Sequence, residues 1–510
     1  MRRIFIIANT LLIIVLAVII YFFPNIWWLA AVFGPFIILG IYDVIQKEHT
    51  ILRNFPVVGH LRYWLEGIGP EIHQYFIESD TDGKPISRYH RTYIYQHAKQ
   101  EVMTHPFGTE LDLYATGYEW MNHSIYPAPK PMTPPRVIIG GPNCLQPYSA
   151  SILNISAMSY GSLSKNAIEA LNKGAKAGNF YHNTGEGGIS PHHLHGGDVV
   201  YQIGTGYFGC RTDDGNFSPE SFIEQAARPE VKMIELKLSQ GAKPGHGGIL
   251  PAAKNNEEIA AIRHIEPFTD VHSPPGHRTF NDSEGLLDFI AQLRSLAKGK
   301  PVGFKLCIGE KDEFIEICKS MVKTGIKPDF ITIDGAEGGT GAAPIDFSNY
   351  VGMPLEEAII FARDCLDGYD LKKDIKLIAS AKIFTAYDIF RVMCFGADLC
   401  NSARGMMLAL GCIQALKCNT NNCPSGVATN KPELMNGLVV EKKWQRVKNY
   451  HHEVIEDFTE LLSAAGISDT AELTRVKIHK RISNRQVKVF NEIYPHIKPG
   501  KYLRKQAAKN

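Results

Sequence analysis

The sequence predicts a (β/α)8 TIM barrel with a two-helix transmembrane hairpin before it and a helical C-terminal extension after it. From Ser151 onward, short apolar runs rich in β-branched residues alternate with stretches in which apolar residues recur every three or four positions. Eight such strands over about 260 residues match a closed barrel better than an open doubly wound sheet. A long uncharged apolar run at the start of the chain predicts the hairpin.

Residues 1–47 are the predicted transmembrane hairpin. The run from residue 4 to residue 23 is almost uncharged and is long enough, at about 1.5 Å per residue, to cross about 30 Å of hydrocarbon as a helix. A second apolar run follows Pro24, and its two tryptophans suit a membrane interface. A cleaved signal peptide is the alternative for the first run, but the small-residue cleavage site is missing.

Basic residues predict the orientation of the hairpin. They flank both of its ends, and the positive-inside rule therefore places both ends in the cytoplasm. We expect a cell-membrane protein with two spans and a cytoplasmic catalytic domain. The flanking residues are Arg2, Arg3, Lys47, Arg53 and Arg62.

Three segments follow the hairpin. Residues 48–147 are a predicted lead-in subdomain with proline-rich connections, residues 148–430 are the barrel, and residues 431–510 are the helical extension. Within the barrel segment we predict eight strands, at ILNISAM, NFYHNT, VKMIELKL, FTDVHS, VGFKLCI, DFITIDG, IKLIASA and DLCNSA.

Charge and motif content argue against two classes of partner. The 54 basic and 52 acidic residues give a net charge of +2, which does not supply the basic field that nucleic-acid binding needs. No GxGxxG motif opens a βαβ unit, so a Rossmann NAD site has no support.

Glycine-rich segments follow several predicted strands, at the end of a barrel where active sites lie. NTGEGG follows the second predicted strand, SQGAKPGHGG the third and DGAEGGTGAAP the sixth. A single cluster of this kind favours a structural turn, whereas three of them suit a backbone that approaches a planar or phosphorylated ligand. Many barrels bind phosphate after their last two strands, so we expect a phosphate-bearing cofactor.

Three cysteines in GCIQALKCNTNNCPSGVATN form the clearest metal motif. Cys412, Cys418 and Cys423 stand within twelve positions of one another. In a reducing cytoplasm, clustered cysteines are more often metal ligands or catalysts than disulfides. Zinc, with His182 or another residue as the fourth ligand, and ordinary buried cysteines are the alternatives to a redox centre.

Six segments together resemble the FMN-binding synthase domain of glutamate synthase large subunits. They are MSYGSLS, NTGEGGISP, QGAKPGHGGILP, SPPGH, DGAEGGTGAAP and GCIQALKCNTNNCPSGVAT, and they occur in a similar order and spacing. The whole chain is similar to the short, membrane-anchored branch of this family. The resemblance implies that the barrel binds FMN and a [3Fe-4S] cluster.

The resemblance also implies which residues hold these cofactors. The three cysteines reproduce the family's spacing of cluster ligands, which agrees with thiolate ligation of iron–sulfur clusters. The implied FMN contacts are Met158, Ser159 and Gly161 beside the ring, Gln202 and Lys305 at its polar edge, Gly338, Gly339 and Gly341 along it, and Ser380, Ala381, Ser402, Ala403 and Arg404 at the phosphate.

Lys305 and Glu186 are the expected catalytic residues. A lysine inside the apolar run VGFKLCI needs an anionic or polar partner, which is the flavin or a structural carboxylate. Glu186 matches a family glutamate beside the flavin, where a carboxylate donates or accepts protons, unless it only caps glycine amides. For Arg404, the alternative to a phosphate contact is a solvated or ion-paired arginine.

The histidines of SPHHLHGG invite a metal assignment, but pocket lining or a surface position is the favoured interpretation. These residues are His192, His193 and His195.

Three positions depart from the family pattern on the substrate side. Ile308 replaces a serine, Tyr207 replaces an arginine and His246 replaces a glutamate. Residue 2 is Arg2 and not the N-terminal cysteine of an amidotransferase domain, so we expect the ammonia to come from elsewhere.

We therefore expect an oxidoreductase of the glutamate synthase type. It would reduce an imine, 2-iminoglutarate from 2-oxoglutarate and ammonia or a related substrate, to an amino acid. The electron partner would be ferredoxin, a reductase or a membrane quinone. The alternatives are a membrane-anchored amine or amino-acid dehydrogenase and a non-catalytic flavin and iron–sulfur electron-transfer subunit.

Overall fold

The computed structural model describes residues 1–101 and 104–507, with side chains described as far as residue 504. Residues 102–103 of the predicted lead-in segment and 508–510 of the predicted extension lie outside the described residues. The chain divides into two compact units, Met1–Lys84 and Pro85–Asn510.

Two long apolar helices, Arg2–Phe22 and Trp28–Ile45, form a hairpin in the first unit, as predicted. The two helices approach closely at Gly40, where an added Cβ would overlap the ring of Phe5. Their lengths and composition suit a membrane crossing, and only 11% of each apolar window is buried. The unit also contains the helical segments Pro24–Ile26, Thr50–Asn54, Gly59–Ile72 and His73–Ile77.

Eight parallel strands form a closed barrel in the second unit, which confirms the predicted fold class. Each strand pairs with the next along the chain, and the last pairs with the first. Six of the eight strands are buried at every residue, as expected for parallel strands covered on both faces. The strands are β1 Leu153–Ile155, β2 His182–Asn183, β3 Val199–Ile203, β4 Val231–Lys237, β5 Val302–Leu306, β6 Phe330–Asp334, β7 Lys376–Ser380 and β8 Leu399–Ser402.

One predicted strand is wrong and one barrel strand escaped prediction. FTDVHS contributes only Val271–His272, which pairs antiparallel with Ile249–Leu250 outside the barrel. The true third strand is β3, and VKMIELKL is therefore the fourth. The chain between β2 and β3 contains only the 3-10 turn Pro191–His193, so the helix that usually separates two barrel strands is not there to mark β3.

Helices cover the outside of the barrel. Those that follow its strands are Lys165–Gly178, Pro219–Ala226, Glu257–Arg263, Ser283–Leu296, Lys311–Thr324, Ile345–Tyr350, Leu355–Gly368, Ala386–Phe395 and Arg404–Leu410, with a 3-10 turn at Ala252–Lys254.

A long helix of the extension, Val440–Ala464, packs against Lys165–Gly178 and against Arg88–Lys99 of the lead-in segment. The long helix and Lys165–Gly178 cross closely at Gly174, where an added Cβ would lie 2.8 Å from Cβ of Val447. Helices Arg88–Lys99 and Val440–Ala464 thus pack on the side of the barrel where β1 lies.

The extension also contains strands, which the prediction lacked. Ile478–Ser483 pairs with Gln486–Val489 and with Glu119–Met121 of the lead-in segment. The other elements of the second unit outside the barrel are strands Arg136–Ile139 and Tyr148–Ser151, helices Pro432–Met435, Phe490–Ile493 and Lys501–Ala507, and 3-10 turns Thr470–Glu472 and Arg475–Lys477.

Candidate active site at the carboxyl end of the barrel

A cavity of about 280 Å³ lies at the carboxyl ends of the barrel strands. Such a position is where TIM barrels carry their active sites. Most of its polar lining comes from the loops that follow β1, β2, β4, β6 and β8. The predicted residues that line it are Met158, Ser159, Glu186, Gln202, Lys305, Gly339, Gly341, Ala403, Arg404 and Cys418.

The remaining predicted site residues lie beside the lining. Ser380 and Ser402 end β7 and β8, and Ala381 and Gly338 follow in the adjoining turns. Gly161 has a φ of +98° and lies under Arg263, whose Nη2 would be 3.3 Å from a Cβ at that position. Cys412 and Cys423 belong to the same loop as Cys418 but do not line the cavity.

Close backbone contact between the loops after β1 and β2 explains one glycine of NTGEGG. Gly185 has a φ of +65°, and a Cβ there would lie 2.6 Å from the backbone nitrogen of Ser159. Its N–H donates to Oδ1 of Asn183 at 3.0 Å. The loop is therefore fixed immediately before Glu186, which places that carboxylate at the cavity wall.

Glu186 forms an ion pair with Lys237, a residue that sequence reasoning missed. Lys237 Nζ donates to Glu186 Oε1 at 2.7 Å, and both side chains are largely buried. Burial alone raises the pKa of Glu186, but the charges of Lys237, Arg263 and Lys243 outweigh it and hold the pKa below the ordinary value. Glu186 is therefore ionised at neutral pH, and the alternative that it only caps glycine amides does not describe its main partner.

Lys305 has a more distant acidic partner. Its Nζ lies 3.8 Å from Oδ2 of Asp334, which is longer than a hydrogen bond, and the side chain is 6% exposed. Asp334 is occupied by the N–H of Gly241, which donates to the same oxygen at 3.1 Å. A structural carboxylate is thus near Lys305, but the ammonium group keeps donors for a ligand in the cavity.

A second missed lysine, Lys243, also lines the cavity. It is 2% exposed, and within the described residues no carboxylate lies within 4.0 Å of its Nζ. Burial, with a contribution from Lys237, lowers its pKa to about 8. A buried ammonium group without a close carboxylate, next to Lys305 with its distant one, favours an anionic ligand.

The ends of β7 and β8 suit a phosphate. Helix Arg404–Leu410 begins without a side-chain cap, so the N–H groups of its first turn are available to an anion. Arg404 Nη2 donates to the carbonyl oxygen of Glu337 at 2.6 Å, and its guanidinium would lie 2.9 Å from a Cβ on Gly339. Arg404 is therefore a half-buried residue of the cavity wall, bonded to a backbone carbonyl and not fully solvated. The glycine-lined wall, the buried ammonium groups and this helix terminus fit FMN.

The cysteine loop adjoins the same cavity. Burial raises the pKa of Cys412 to about 12, with smaller contributions from the other two thiols, and burial also raises the pKa of Cys418. Burial lowers the pKa of Lys254 to about 8 against the opposing effect of Cys418 and Cys423, so these groups are neighbours. A cationic centre would be needed to hold such buried thiols as thiolates.

The spacing of the thiols argues against a single zinc ion. Three metal-binding side chains converge to within 4.8 Å at one place in residues 1–101 and 104–507, and that place is not the cysteine loop. Zinc–sulfur bonds of about 2.3 Å require closer ligands, whereas a cluster binds its thiolates through different iron atoms. His182, the suggested fourth ligand, is fully buried in β2 beside the ring of His193 at 5.2 Å.

The convergent group is Glu169, His192 and His195. Glu169 already pairs with Lys173 at 2.6 Å, and His192 Nε2 pairs with Oε1 of Glu258 at 2.8 Å. His193 is buried and turned inward, where its Nδ1 bonds with Ser190. His192 thus links the loop after β2 to helix Glu257–Arg263, and His193 is held within the loop itself.

The three departures from the family pattern differ in position. Tyr207 is buried, and its hydroxyl bonds with His277, Arg278 and Thr279. Ile308 is buried in the hydrophobic core. His246 lines a small recess beside the cavity, which it shares with Glu186 and Lys237. Only His246 among the three therefore faces space next to the charged pair.

Residues 145–468 match the family model described as the conserved region in glutamate synthase. A glutamate synthase large subunit-like protein, YerD, of Bacillus subtilis is 39% identical over 502 residues, covering 90% of this chain and 95% of the relative. An archaeal glutamate synthase [NADPH] of Methanocaldococcus jannaschii is 34% identical over 324 residues, covering 62% of this chain and 60% of the relative. A solved flavocytochrome b2 mutant with pyruvate bound covers 85% of this chain and 91% of its own at 12% identity and a TM-score of 0.43, which is too distant to carry an argument.

The ion pair predicts how stability depends on pH. Because the pKa of Glu186 is lower in the folded protein than the unfolded value of about 4.3, its stabilising effect is complete above that value and is lost as the pH falls through the folded pKa. Glu186→Gln should lower the free energy of unfolding by about 2 kcal/mol at pH 7, and this difference should shrink below about pH 4. Urea unfolding at both pH values measures it.

Glu224→Gln is the matched control, because Glu224 is exposed on a helix surface and should change stability little at either pH. A Glu186→Gln deficit that is the same at pH 7 and below pH 4 would contradict an ionised, paired Glu186.

Proposed function

This chain belongs to the glutamate synthase family, whose members are oxidoreductases acting on CH–NH2 donors, and from this premise we propose that it reduces an imine to an amino acid with FMN. The observation that carries the proposal is the cavity itself, whose lining contains the buried Lys243 and Lys305 together with Glu186, which is paired with Lys237. The preferred substrate is 2-iminoglutarate, formed from 2-oxoglutarate and ammonia, or a related 2-imino acid.

The proposed FMN site uses residues of five strand ends. Met158, Ser159 and the glycines after β6 form the wall for the ring, and Gln202 and Lys305 contact its polar edge. The uncapped helix terminus at Arg404 receives the phosphate. When bound and reduced, FMN supplies the hydride, and the protein supplies the binding groups and the charges around it.

Lys243 is the proposed carboxylate-binding residue. It lines the cavity as a buried cation. A substrate carboxylate bound beside it would accept a charge-assisted hydrogen bond from its Nζ. Glu186 cannot serve this purpose, because its charge repels a carboxylate. The substrate's acidic end therefore lies nearer Lys243 than Glu186.

Proton movement follows from the two pKa shifts. The lowered pKa of Glu186 leaves it ionised, so its Oε1 and Oε2 accept protons or hold a protonated nitrogen such as an ammonium or iminium group. The pKa of Lys243, about 8, makes its Nζ a proton donor that can recover its proton near neutral pH. The pair thus combines an anionic site for the nitrogen with an acid beside the carboxylate.

A single-turnover experiment tests this function. Anaerobic, detergent-purified protein with its flavin reduced by light should reoxidise when 2-oxoglutarate and ammonium are added together. Lys243→Met should raise the concentration of 2-oxoglutarate needed for half-maximal rate about thirtyfold, which corresponds to about 2 kcal/mol for a lost hydrogen bond to a charge.

Lys442→Met is the control, because Lys442 is exposed on helix Val440–Ala464 of the extension. A wild-type flavin that stays reduced with both substrates would overturn imine reduction and favour the electron-transfer alternative. If Lys243→Met needs the same concentration of 2-oxoglutarate as the wild type, Lys243 does not bind the substrate carboxylate, and the proposed reaction itself stands.

For the cysteine loop we propose a [3Fe-4S] cluster held by Cys412, Cys418 and Cys423. It would pass single electrons to the flavin from ferredoxin, a reductase or a quinone. Support comes from three neighbouring thiols, of which Cys423 is buried and the other two are half-buried, from the position of Cys418 in the cavity wall, and from a spacing wider than a zinc ion accepts.

Metal content separates cluster from zinc. Anaerobically purified wild-type protein should contain about three iron atoms per flavin and give the EPR signal of an oxidised three-iron cluster. Cys418→Ala should lose iron and signal together, whereas Cys144→Ala should keep both, because Cys144 lies outside the cysteine motif. Protein that carries one zinc and no iron would contradict the cluster.

We also propose that the first unit anchors the protein in the cell membrane with both ends in the cytoplasm. Its two apolar helices have the length of spans, and they are joined by a short turn at Pro24–Ile26.

Accessibility labelling tests the topology. Asn25→Cys lies in the turn between the helices and should react with a membrane-impermeant maleimide in intact cells. Cys144, which is half-buried and lies outside the cysteine motif, is the internal control and should react only after lysis. A protein that alkaline carbonate releases from the membrane fraction would contradict the anchor.

A further inference from the structure

We propose that Glu235, a buried residue of β4, is a positioning residue that sets the orientation of the Gln202 amide and thereby gives the cavity a carbonyl oxygen and not an NH2 group. The inference rests on the proposed function in one respect, which is that the cavity ligand is FMN. It concerns a residue that lies in the barrel interior and does not line the cavity.

Glu235 accepts three hydrogen bonds from three other strands. Its Oε1 accepts from Gln202 Nε2 of β3 at 2.6 Å and from Asn183 Nδ2 of β2 at 2.8 Å. Its Oε2 accepts from the hydroxyl of Thr332 on β6 at 2.6 Å. All four side chains are at most 1% exposed, so water does not compete for these bonds.

The chemistry of a carboxylate decides the direction of both amides. An ionised carboxylate has only acceptors, and three donors aimed at two oxygens suit that form. Gln202 and Asn183 must therefore each present NH2 to Glu235 and turn the amide oxygen the other way. For Asn183 the result is visible, because its Oδ1 accepts from the N–H of Gly185 at 3.0 Å.

For Gln202 the same argument places Oε1 toward the cavity that this residue lines. A ligand group that faces this oxygen must be a hydrogen-bond donor. The oxidised isoalloxazine ring has one such group, the N3–H, and its other ring heteroatoms and carbonyl oxygens accept. Gln202 therefore contacts the N3–H of the flavin.

One buried carboxylate thus serves two parts of the site. Through Gln202 it determines which edge of the ring is recognised, and through Asn183 it holds Gly185, which precedes Glu186. Burial makes the arrangement specific, because a flipped amide would face Glu235 with an oxygen and leave a buried polar clash.

The test compares the flavin N3–H in holoprotein variants. Resonance Raman spectra of bound FMN in H2O and D2O report the N3–H hydrogen bond, and equilibrium binding of FMN against 3-methyl-FMN reports its contribution. Wild-type protein should prefer FMN about fivefold, as expected for one hydrogen bond. Glu235→Met removes both carboxylate oxygens. It should abolish the preference, so that FMN and 3-methyl-FMN bind about equally, and it should shift the N3–H-sensitive band.

Two conservative variants should behave like the wild type. In Glu235→Gln the new amide oxygen can still accept from Gln202 and Asn183, because its NH2 group can donate to the Thr332 hydroxyl. In Thr332→Val the carboxylate remains and only the bond to Oε2 is lost. Combining Glu235→Gln with Thr332→Val removes the acceptor for the new NH2 group, so this near-isosteric pair should weaken the preference even if Glu235→Met does not fold.

The outcomes separate this inference from the cofactor assignment. Wild-type protein that binds no FMN would overturn the assignment and the inference with it. Wild-type protein that binds FMN, with the same band and the same preference in Glu235→Met and in the double variant, would overturn the positioning role alone. Loss of the preference in the double variant and its retention in both single variants would support it.

Discussion

Closure of the parallel barrel between β8 and β1 is the constraint on which the rest of the structure depends. A closed parallel barrel brings every strand's carboxyl end to one rim, so loops far apart in sequence meet there. Glu186 and Lys237 are 51 positions apart and form one ion pair, and Glu235 reaches donors on β2, β3 and β6. Both arrangements depend on strands whose carboxyl ends converge at this rim.

Burial at that rim gives the charges their chemical character. Glu186 stays ionised because Lys237 offsets the cost of burying it, while Lys243 has no equally close partner and its pKa falls to about 8. The same low dielectric that would penalise an unpaired charge makes each contact with an anionic ligand stronger than in water. The cavity therefore has an acceptor and a donor whose roles differ because their surroundings differ.

Sequence patterns were sufficient for the fold class and insufficient for the charged partners. Alternating apolar runs predicted the closed barrel, and the resemblance to the family implied ten residues that line the cavity. The pattern failed at β3, where no helix separates it from β2, and at FTDVHS, most of which is exposed and which pairs antiparallel outside the barrel. It also gave no signal for Lys237, Lys243 and Glu235, since their roles arise from side chains that only the closed barrel brings together.

The three departures from the family pattern differ in how strongly they should affect substrate preference, because they lie at different places in the fold. The hydroxyl of Tyr207 links its own loop to residues 277–279, which is a structural contact that an arginine would not reproduce. The ring centroid of His246 lies 5.3 Å from that of Phe347, and His246 lines the recess that also contains Glu186 and Lys237. Replacing a glutamate by histidine there removes a negative charge beside a site that already has several lysines. A difference in substrate preference from other family members would therefore begin at His246, where the electrostatic change is next to the reacting groups.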